Sequence, residues 1–300
     1  MTPKTLIVIT GPTGIGKTDT AIKVAQALGT EIISADSRQI YRNLPIGTAA
    51  PTIDELNAVK HHFIAMLDLD QYYSAAQFES DVMQLLPHLF AHHDYVVMCG
   101  GSMMYIDAVC NGIDDIPTVS DEVRTEAYRI LHEEGIEEVA RRVQEVDPEY
   151  YAIADKQNAK RLVHALEIFM QSGKPFSSFR TGTKKQRPFR ILKFGLNMPR
   201  EELFARINAR VDKMVDLGLE QEARDVFHLR HLNSLNTVGY KELFAHFDGQ
   251  CTLEFAIEKI KQNSRIYSRK QMTWFRRDDD IQWFHPDDEE AIMAYVASCL

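Results

Sequence analysis

The chain is 300 residues long, 45% apolar and formally −9 in charge, which suits one large globular domain or two modest ones with ample material for a core. No apolar run approaches the roughly eighteen residues of a membrane span and the first residues show no signal-peptide pattern, so a membrane protein and a secreted one are both disfavoured. The four cysteines, Cys99, Cys110, Cys251 and Cys299, lack C-x-x-C spacing, which sets aside a disulfide frame or zinc site and fits buried thiols in a reducing, cytoplasmic setting.

The first element is also the most informative. An apolar run at residues 6–9 leads through Thr10 into Gly11-Pro12-Thr13-Gly14-Ile15-Gly16-Lys17-Thr18, which matches G-x-x-x-x-G-K-[ST] at every fixed position. β-Branched residues precede the turn, and Ala21, Ile22, Ala25 and Leu28 follow at helical spacing with Gly29 as the expected C-cap. This is the strand–turn–helix context of a phosphate-binding loop. Its glycines let backbone N–H groups curl round an oxyanion, and the helix N-terminus adds partial positive charge. Lys17 would reach the outer phosphate and the Thr18 hydroxyl would ligate Mg²⁺. Which phosphate compound is held stays open.

Residues 31–35 predict a second strand ending at Asp36, followed by Ser37-Arg38-Gln39-Ile40-Tyr41. Side chains just past strand carboxyl ends line the ligand crevice of an open α/β sheet, so Asp36 is placed to ligate a metal, take a proton or cap a turn. Residues 45–60 predict a loop and then a short helix, and 60–64 a strand or turn. There His61 and His62 point to opposite faces, which disfavours a shared metal. Ala75, Phe78, Val82, Leu85, Leu86 and Leu89 give 74–92 a helical period. Tyr95–Cys99 is a continuous apolar run, fit for a buried parallel strand. It ends in Gly100-Gly101-Ser102, where a nucleotide hydrolase usually places a carboxylate to hold Mg²⁺ through water. The glycines permit close backbone approach to a ligand and Ser102 offers a hydroxyl, although an ordinary tight turn has the same composition.

Beyond Gly112 the character changes. Residues 120–172 are helical throughout, with Val123, Ala127, Ile130 and Leu131 and then Val139, Val143 and Val146 in period, and no strand signal returns before Arg190–Leu196. The chain is therefore expected to be an α/β protein, a parallel sheet flanked by helices built from residues 1–113 and 188–300, with an all-helical insertion domain at 114–187. A polar, basic link at 177–188 closes the insertion. The helix from Arg200 carries Leu203, Ile207, Val211 and Met214 on one face and sets Arg206 and Arg210 four apart on another. That spacing suits a phosphate clamp and equally a solvated face. A turn at 236–241 precedes further amphipathic helix. Residues 265–277 interleave cations with aromatics, as a loop-RNA surface does and as a snorkelling helix also does. Charge is patterned accordingly. Residues 156–213 hold fourteen Lys/Arg against four acids, about +10, and 259–277 hold seven against none, about +7, which leaves about −26 elsewhere. Two basic islands in an acidic chain are what one face meeting a polyanion requires.

Together these segments resemble the tRNA dimethylallyltransferases of bacterial type, enzymes that prenylate the adenosine immediately 3′ of the anticodon. The resemblance is carried by the phosphate loop, by Ala35-Asp36-Ser37-Arg38-Gln39-Ile40-Tyr41, and by Ile46-Gly47-Thr48-Ala49 with His61-His62. Gly100-Gly101-Ser102 with Tyr105, Arg161 with Ala165-Leu166-Glu167, Arg206, Arg210, Val238-Gly239-Tyr240-Lys241 and Arg269-Lys270-Gln271-Met272-Thr273-Trp274-Phe275-Arg276 complete it. It implies a P-loop NTPase-like fold whose loop, Gly11 to Thr18, holds the pyrophosphate of dimethylallyl pyrophosphate with Mg²⁺ on Thr18. It implies Asp36 as general base toward the adenine N6, with Thr13 or Thr18, Lys17, Ser102 and one of Arg206 and Arg210 stabilising the departing pyrophosphate. It places Asp36, Ser37, Arg38 and Gln39 beside the target base. Lys160, Arg161, His164, Val238, Gly239, Tyr240, Lys241, Arg265, Arg269 and Lys270 fall at the tRNA surface, on a chain expected to act as a monomer. The family usually has threonine at the position of Ser102 and arginine at that of His164, which leaves a pH-dependent phosphate contact at the latter. A P-loop small-molecule kinase, with Asp36 taking a hydroxyl proton and the insertion as a lid, is the alternative from another class. Adenylate isopentenyltransferase shares the donor chemistry but needs no basic-aromatic helix.

Overall fold

A computed structural model describes residues 3–300, which divide into two compact units: one runs to Asn111 and resumes at Gln186, and the other spans Gly112–Lys185. The first unit begins with β1 (Thr5–Thr10), α1 (Lys17–Leu28), β2 (Ile32–Ser34), α2 (Ile53–Ala58), β3 (His61–His62), α3 (Ala75–Phe90), β4 (Tyr95–Cys99) and α4 (Met103–Asn111). The second is helical, with α5 (Asp121–Val146), α6 (Pro148–Ile153), α7 (Ala159–Ser172) and α8 (Phe176–Phe179). The chain then returns to the first unit with β5 (Arg190–Leu196), α9 (Arg200–Asp216), α10 (Leu219–Asp225), α11 (Tyr240–Phe247), α12 (Leu253–Phe275), β6 (Gln282–Phe284) and α13 (Glu289–Cys299).

The six strands form one sheet in the order β3-β2-β4-β1-β5-β6, every pair parallel. Every residue of β1 is buried, and the side chains alternate between two cores. Leu6 and Val8 pack with Ile33, Val96, Met98 and the apolar stripe of α3, whereas Ile7 and Ile9 pack with Ile32, Val97, Ala21, Val24 and Ile207. A parallel sheet covered on both faces needs this double apolar character, which is why its central strands read as uninterrupted apolar runs. Register sets Ile9 opposite Cys99 and Thr10 opposite Gly195, so the loops leaving β1, β4 and β5 emerge level with one another. From β1 the chain winds to β2 on one side and later to β5 on the other, and this reversal opens the crevice at the carboxyl ends.

Strand β6 lies outside the predicted elements. It is three residues long and edges the sheet beside β5, where a Cβ on Gly195 would come within 2.5 Å of the Trp283 ring. The strand glycine thus makes room for an edge tryptophan. The second unit has its own core of Ala127, Ile130, Val139, Val143, Leu162, Val163, Leu166 and Ile168, and α5 breaks at Gly135, where φ is 87°. Among the described residues no helix is long and apolar enough to cross a membrane.

Candidate active site

The phosphate loop leaves β1 at Gly11 and enters α1 at Lys17, with Gly16 as a left-handed N-cap at φ 101°. A side chain there would be strained, and a Cβ would also meet Arg206 Nη2 at 3.2 Å, so Arg206 lies directly over the loop. The neighbouring turn is closed more tightly still. Gly100 N–H donates to Ile9 O and Ser102 N–H to Ala35 O, and a Cβ on Gly100 would stand 2.1 Å from Ala35 O. Only glycine permits that approach, and it draws the ends of β1, β2 and β4 round one open crevice of about 840 Å³. Thr13, Lys17, Thr18, Asp36, Arg206 and Arg210 all line it, and Pro45, Ile46, Ala49, Ala50, Met214 and Leu217 give it an apolar side.

Its electrostatics are those of an anion site. Lys17 Nζ donates to Pro12 O at 2.8 Å, and burial brings its pKa down to about 8; the Cys99 thiol and Asp36 act upward and Arg210 downward. Arg210 Nη2 donates to Thr13 Oγ1 at 2.6 Å while its Nε is buried with no partner. Burial lowers the pKa of Arg210 and Asp36 opposes the shift. Two cations held together, one with an unmet donor, form a site that an oxyanion would satisfy. Asp36 both caps and faces the crevice: Oδ1 accepts the Arg38 N–H at 2.8 Å and the Gln39 N–H at 3.3 Å, fixing the carboxylate at the end of β2.

Several residues expected to meet ligand instead support those that line the crevice. Ser102 is 8% exposed and does not line it; its Oγ accepts the Ser37 N–H at 2.8 Å and donates to Ser37 Oγ, propping the Asp36 turn from behind. Arg38 Nη1 donates to the carbonyls of Asn233 and Ser234. Gln39 lines the crevice, but its Nε2 is committed to the carbonyls of Thr48 and Ala49. Tyr240, expected at the tRNA surface, is 0% exposed, with its hydroxyl on Glu222 Oε1 at 2.6 Å. Gly239 is buried beside it, Val238 is half-buried, and only Lys241 of that turn is exposed. The reason is a lock that the sequence did not reveal. Glu222 also accepts the N–H groups of Ile46 and Gly47, at 2.8 and 2.7 Å, and a Cβ on Gly47 would strike Tyr240 Oη at 2.5 Å. The loop forming the apolar side is thereby pinned from behind.

The basic islands are thinner than their counts. Lys193 pairs with Asp278, Lys261 with Asp212, and the buried Arg187 with Glu79, while Arg265 donates to Asn208. What stays exposed is Arg269 and Lys270 on α12 and Arg276 and Arg277 just past its end. Arg269, Lys270 and Arg277 border a surface groove of about 550 Å³ with Ile266, Thr273 and Trp274, and the Arg277 guanidinium lies 5.4 Å from the centre of the Trp274 ring. In the second unit Lys160, Arg161 and His164 are exposed along α7, with His164 Nδ1 3.4 Å from Glu167. One buried side chain was read only as part of the Arg269–Arg276 motif, with no role of its own. Gln271 joins Thr13 to Gly101 from α12, and its signal was the polar stripe Ser264, Ser268, Gln271 on the buried face of that helix.

For a divalent cation the crevice lining offers the Thr18 hydroxyl and the carboxylates of Asp19, Asp36 and Glu55, the last already accepting hydrogen bonds from Thr52. The one His/carboxylate triad among the described residues, Glu202, His285 and Asp287, is not part of the crevice lining. Hard oxygen donors of this kind fit Mg²⁺, which keeps several waters and takes substrate phosphate oxygens instead of a full protein cage.

Comparison with known proteins agrees with this geometry. The family model described as IPP transferase matches residues 39–278. The chain is 58% identical over 296 residues to tRNA dimethylallyltransferase 1 of Phocaeicola vulgatus, covering 99% of both, and 56% identical over 300 residues to that of Bacteroides fragilis, covering all of both. Among solved structures, the tRNA isopentenylpyrophosphate transferase of Bacillus halodurans superposes with a TM-score of 0.71 at 32% identity, over 98% of this chain and 96% of that one. A parallel sheet with a phosphate loop at its centre is the P-loop NTPase-like fold those structures share. The relatives, unlike the family model, also cover the phosphate loop and Asp36, and by both measures the chain belongs to the IPP transferase family, the tRNA dimethylallyltransferases.

Proposed function

We propose that this chain transfers a dimethylallyl group from dimethylallyl pyrophosphate to N6 of the adenosine 3′ to the anticodon in tRNA, releasing pyrophosphate. The observation that carries this reading is the convergence of a phosphate loop, two arginines and a turn-held Asp36 on one crevice whose remaining side is apolar. A nucleotide hydrolase has no use for the apolar side, and a five-carbon chain does. The loop amides, Lys17, Arg206 and Arg210 grip the pyrophosphate. As the allylic C–O bond breaks, its electron pair collects there, and fixed donors aimed at that charge favour the transition state over the ground state. The adenine amine supplies the pair that forms the new C–N bond and surrenders its proton to Asp36. An exocyclic amine is a weak nucleophile, so the turn that fixes Asp36 and the prop of Ser37 and Ser102 behind it act by orientation. The Thr18 hydroxyl would help hold Mg²⁺, which would supply further neutralisation of the leaving group.

The target base must leave its stack to reach such a pocket, and an anticodon loop yields one at low cost. The exposed cations of α12, with Lys241 and with Lys160, Arg161 and His164 of the second unit, are assigned to the tRNA backbone. The protein is assigned to the cytoplasm as a monomer, in keeping with four free thiols. Incubation with unmodified tRNA, Mg²⁺ and dimethylallyl pyrophosphate, followed by nucleoside mass spectrometry, should show prenylated adenosine. Unmodified adenosine, alongside ATP turnover with a small alcohol, would refute this reading in favour of a P-loop kinase.

A further inference from the structure

Gln271 is 1% exposed, and both ends of its amide are used. Oε1 accepts the Thr13 N–H at 2.8 Å and Nε2 donates to Gly101 O at 2.9 Å, across 258 and 170 residues of chain. One partner is an N–H and the other a carbonyl, so the orientation of the amide is forced. Thr13 is then held at both ends, since its hydroxyl accepts from Arg210 Nη2 at 2.6 Å. A continuous path of hydrogen bonds therefore runs from the turn after β4, through α12, to the crest of the phosphate loop and on to a guanidinium in the crevice.

We propose that Gln271 is a positioning residue for the transfer: it fixes Thr13, and through Thr13 the aim of Arg210, and it ties that geometry to the helix that carries Arg269 and Lys270 on its exposed side. The inference rests on the function proposed above for its kinetic consequence alone. The residue type suits the task. A glutamate could not donate to Gly101 O and would set a negative charge beside a leaving pyrophosphate, and a lysine could not accept from Thr13. An amide meets both partners without charge. Gly101 is the complementary half. A Cβ there would lie 2.5 Å from Gln271 Nε2, while its next contact, Lys17 Nζ at 3.6 Å, is ordinary.

Gln271→Met keeps the volume and removes both hydrogen bonds, and it is to be measured in the full chain beside the wild type. The expected result is a kcat reduced by about ten- to a hundredfold, the cost of misplacing a transition-state stabiliser, with the KM for dimethylallyl pyrophosphate changed by less than about threefold. A merely structural role would lower the melting temperature and leave the kcat of the folded fraction unchanged, and that outcome overturns the proposal. Amide exchange at Thr13, followed by NMR without substrate, should quicken at least tenfold in the variant. An unchanged rate also overturns it. Because exchange needs no turnover, a wild type that fails to prenylate tRNA refutes the proposed function and leaves Gln271 to be decided by Thr13. As a second arm, Gly101→Ala should lose activity on its own but cost nothing further in a Gln271→Ala background; an additional loss in the pair would place the clash elsewhere and sink the assignment.

Discussion

Lys17 provides the sharpest test of the anion site. Burial holds its pKa near 8, well below the ordinary 10.5, and its contact is the Pro12 carbonyl. A bound pyrophosphate supplies the missing counter-charge and should return the pKa to at least the ordinary value. The group binds more protons in the complex than in the protein free of donor between pH 8 and pH 10.5, so donor binding must take up protons in that window. With these two pKa values the uptake is about 0.1 proton at pH 7, about 0.5 at pH 8 and about 0.9 at pH 9, and donor affinity falls up to about tenfold per pH unit above 8. Phosphate monoester oxygens have lost their own proton by then, their second pKa being about 6, so they do not confuse the count. The assay is calorimetric titration with dimethylallyl pyrophosphate at matched pH in buffers of different ionisation enthalpy. Lys17→Arg is the control, since a guanidinium does not titrate there. Zero uptake at pH 8 to 9, or the same uptake in Lys17→Arg, would refute the reasoning.

Asp36→Asn retains a side-chain oxygen for the Arg38 and Gln39 amides, so it should keep donor and tRNA affinity within a few-fold while transfer falls by about 10²–10⁴; single-turnover kinetics with intact transfer would remove Asp36 as the base. Tyr240→Phe deletes one donor to a carboxylate that keeps two backbone amides, and should cost about 1–3 kcal/mol in denaturant unfolding with unchanged tRNA affinity. A tRNA-binding defect in a variant of wild-type stability would return Tyr240 to the RNA surface. Arg269→Ala combined with Lys270→Ala should weaken tRNA binding and shrink the slope of log K against log salt by about 1.4, two phosphate contacts' worth for single-stranded RNA. An unaltered slope would take that groove out of the interface.

How much of this was legible follows from which forces are local. The phosphate loop declares itself because its conformation is enforced by glycines and a helix start within eight residues. Strands β1 and β4 declare themselves because a doubly covered strand carries an unbroken apolar run, and β5 does so through Ile191, Leu192, Phe194 and Leu196 despite Arg190 and Lys193. β6 did not, being three residues long and half-exposed at the sheet edge. Within the site, Lys17, Thr18 and Asp36 could be placed because strand ends define a crevice. Ser102 and Tyr240 sit in equally specific motifs, yet face inward as supports, and Gln39 lines the crevice with its amide nitrogen committed to backbone carbonyls. Membership of a motif does not tell a ligand contact from the strut behind it, since both are intolerant of change. The partners of Gln271 and Glu222 were beyond reach for a related reason. A polar residue on a helix acquires its meaning only from a partner brought close by the fold, and here Gln271 meets one 258 positions away.

The sheet order also has a consequence for synthesis. β1 lies between β4 and β5, so Thr5–Thr10 has one neighbour by residue 99 and gains the other only when Arg190–Leu196 has been made. At roughly 5–20 residues per second the nascent chain carries an unpaired apolar edge for about 5–20 seconds. The stretch translated in that interval is chiefly the second unit, whose core is its own and which can therefore fold while the sheet waits. A ribosome stalled between residues 99 and 190 would hold out an open sheet edge, and that is the stage at which this protein should most need a chaperone.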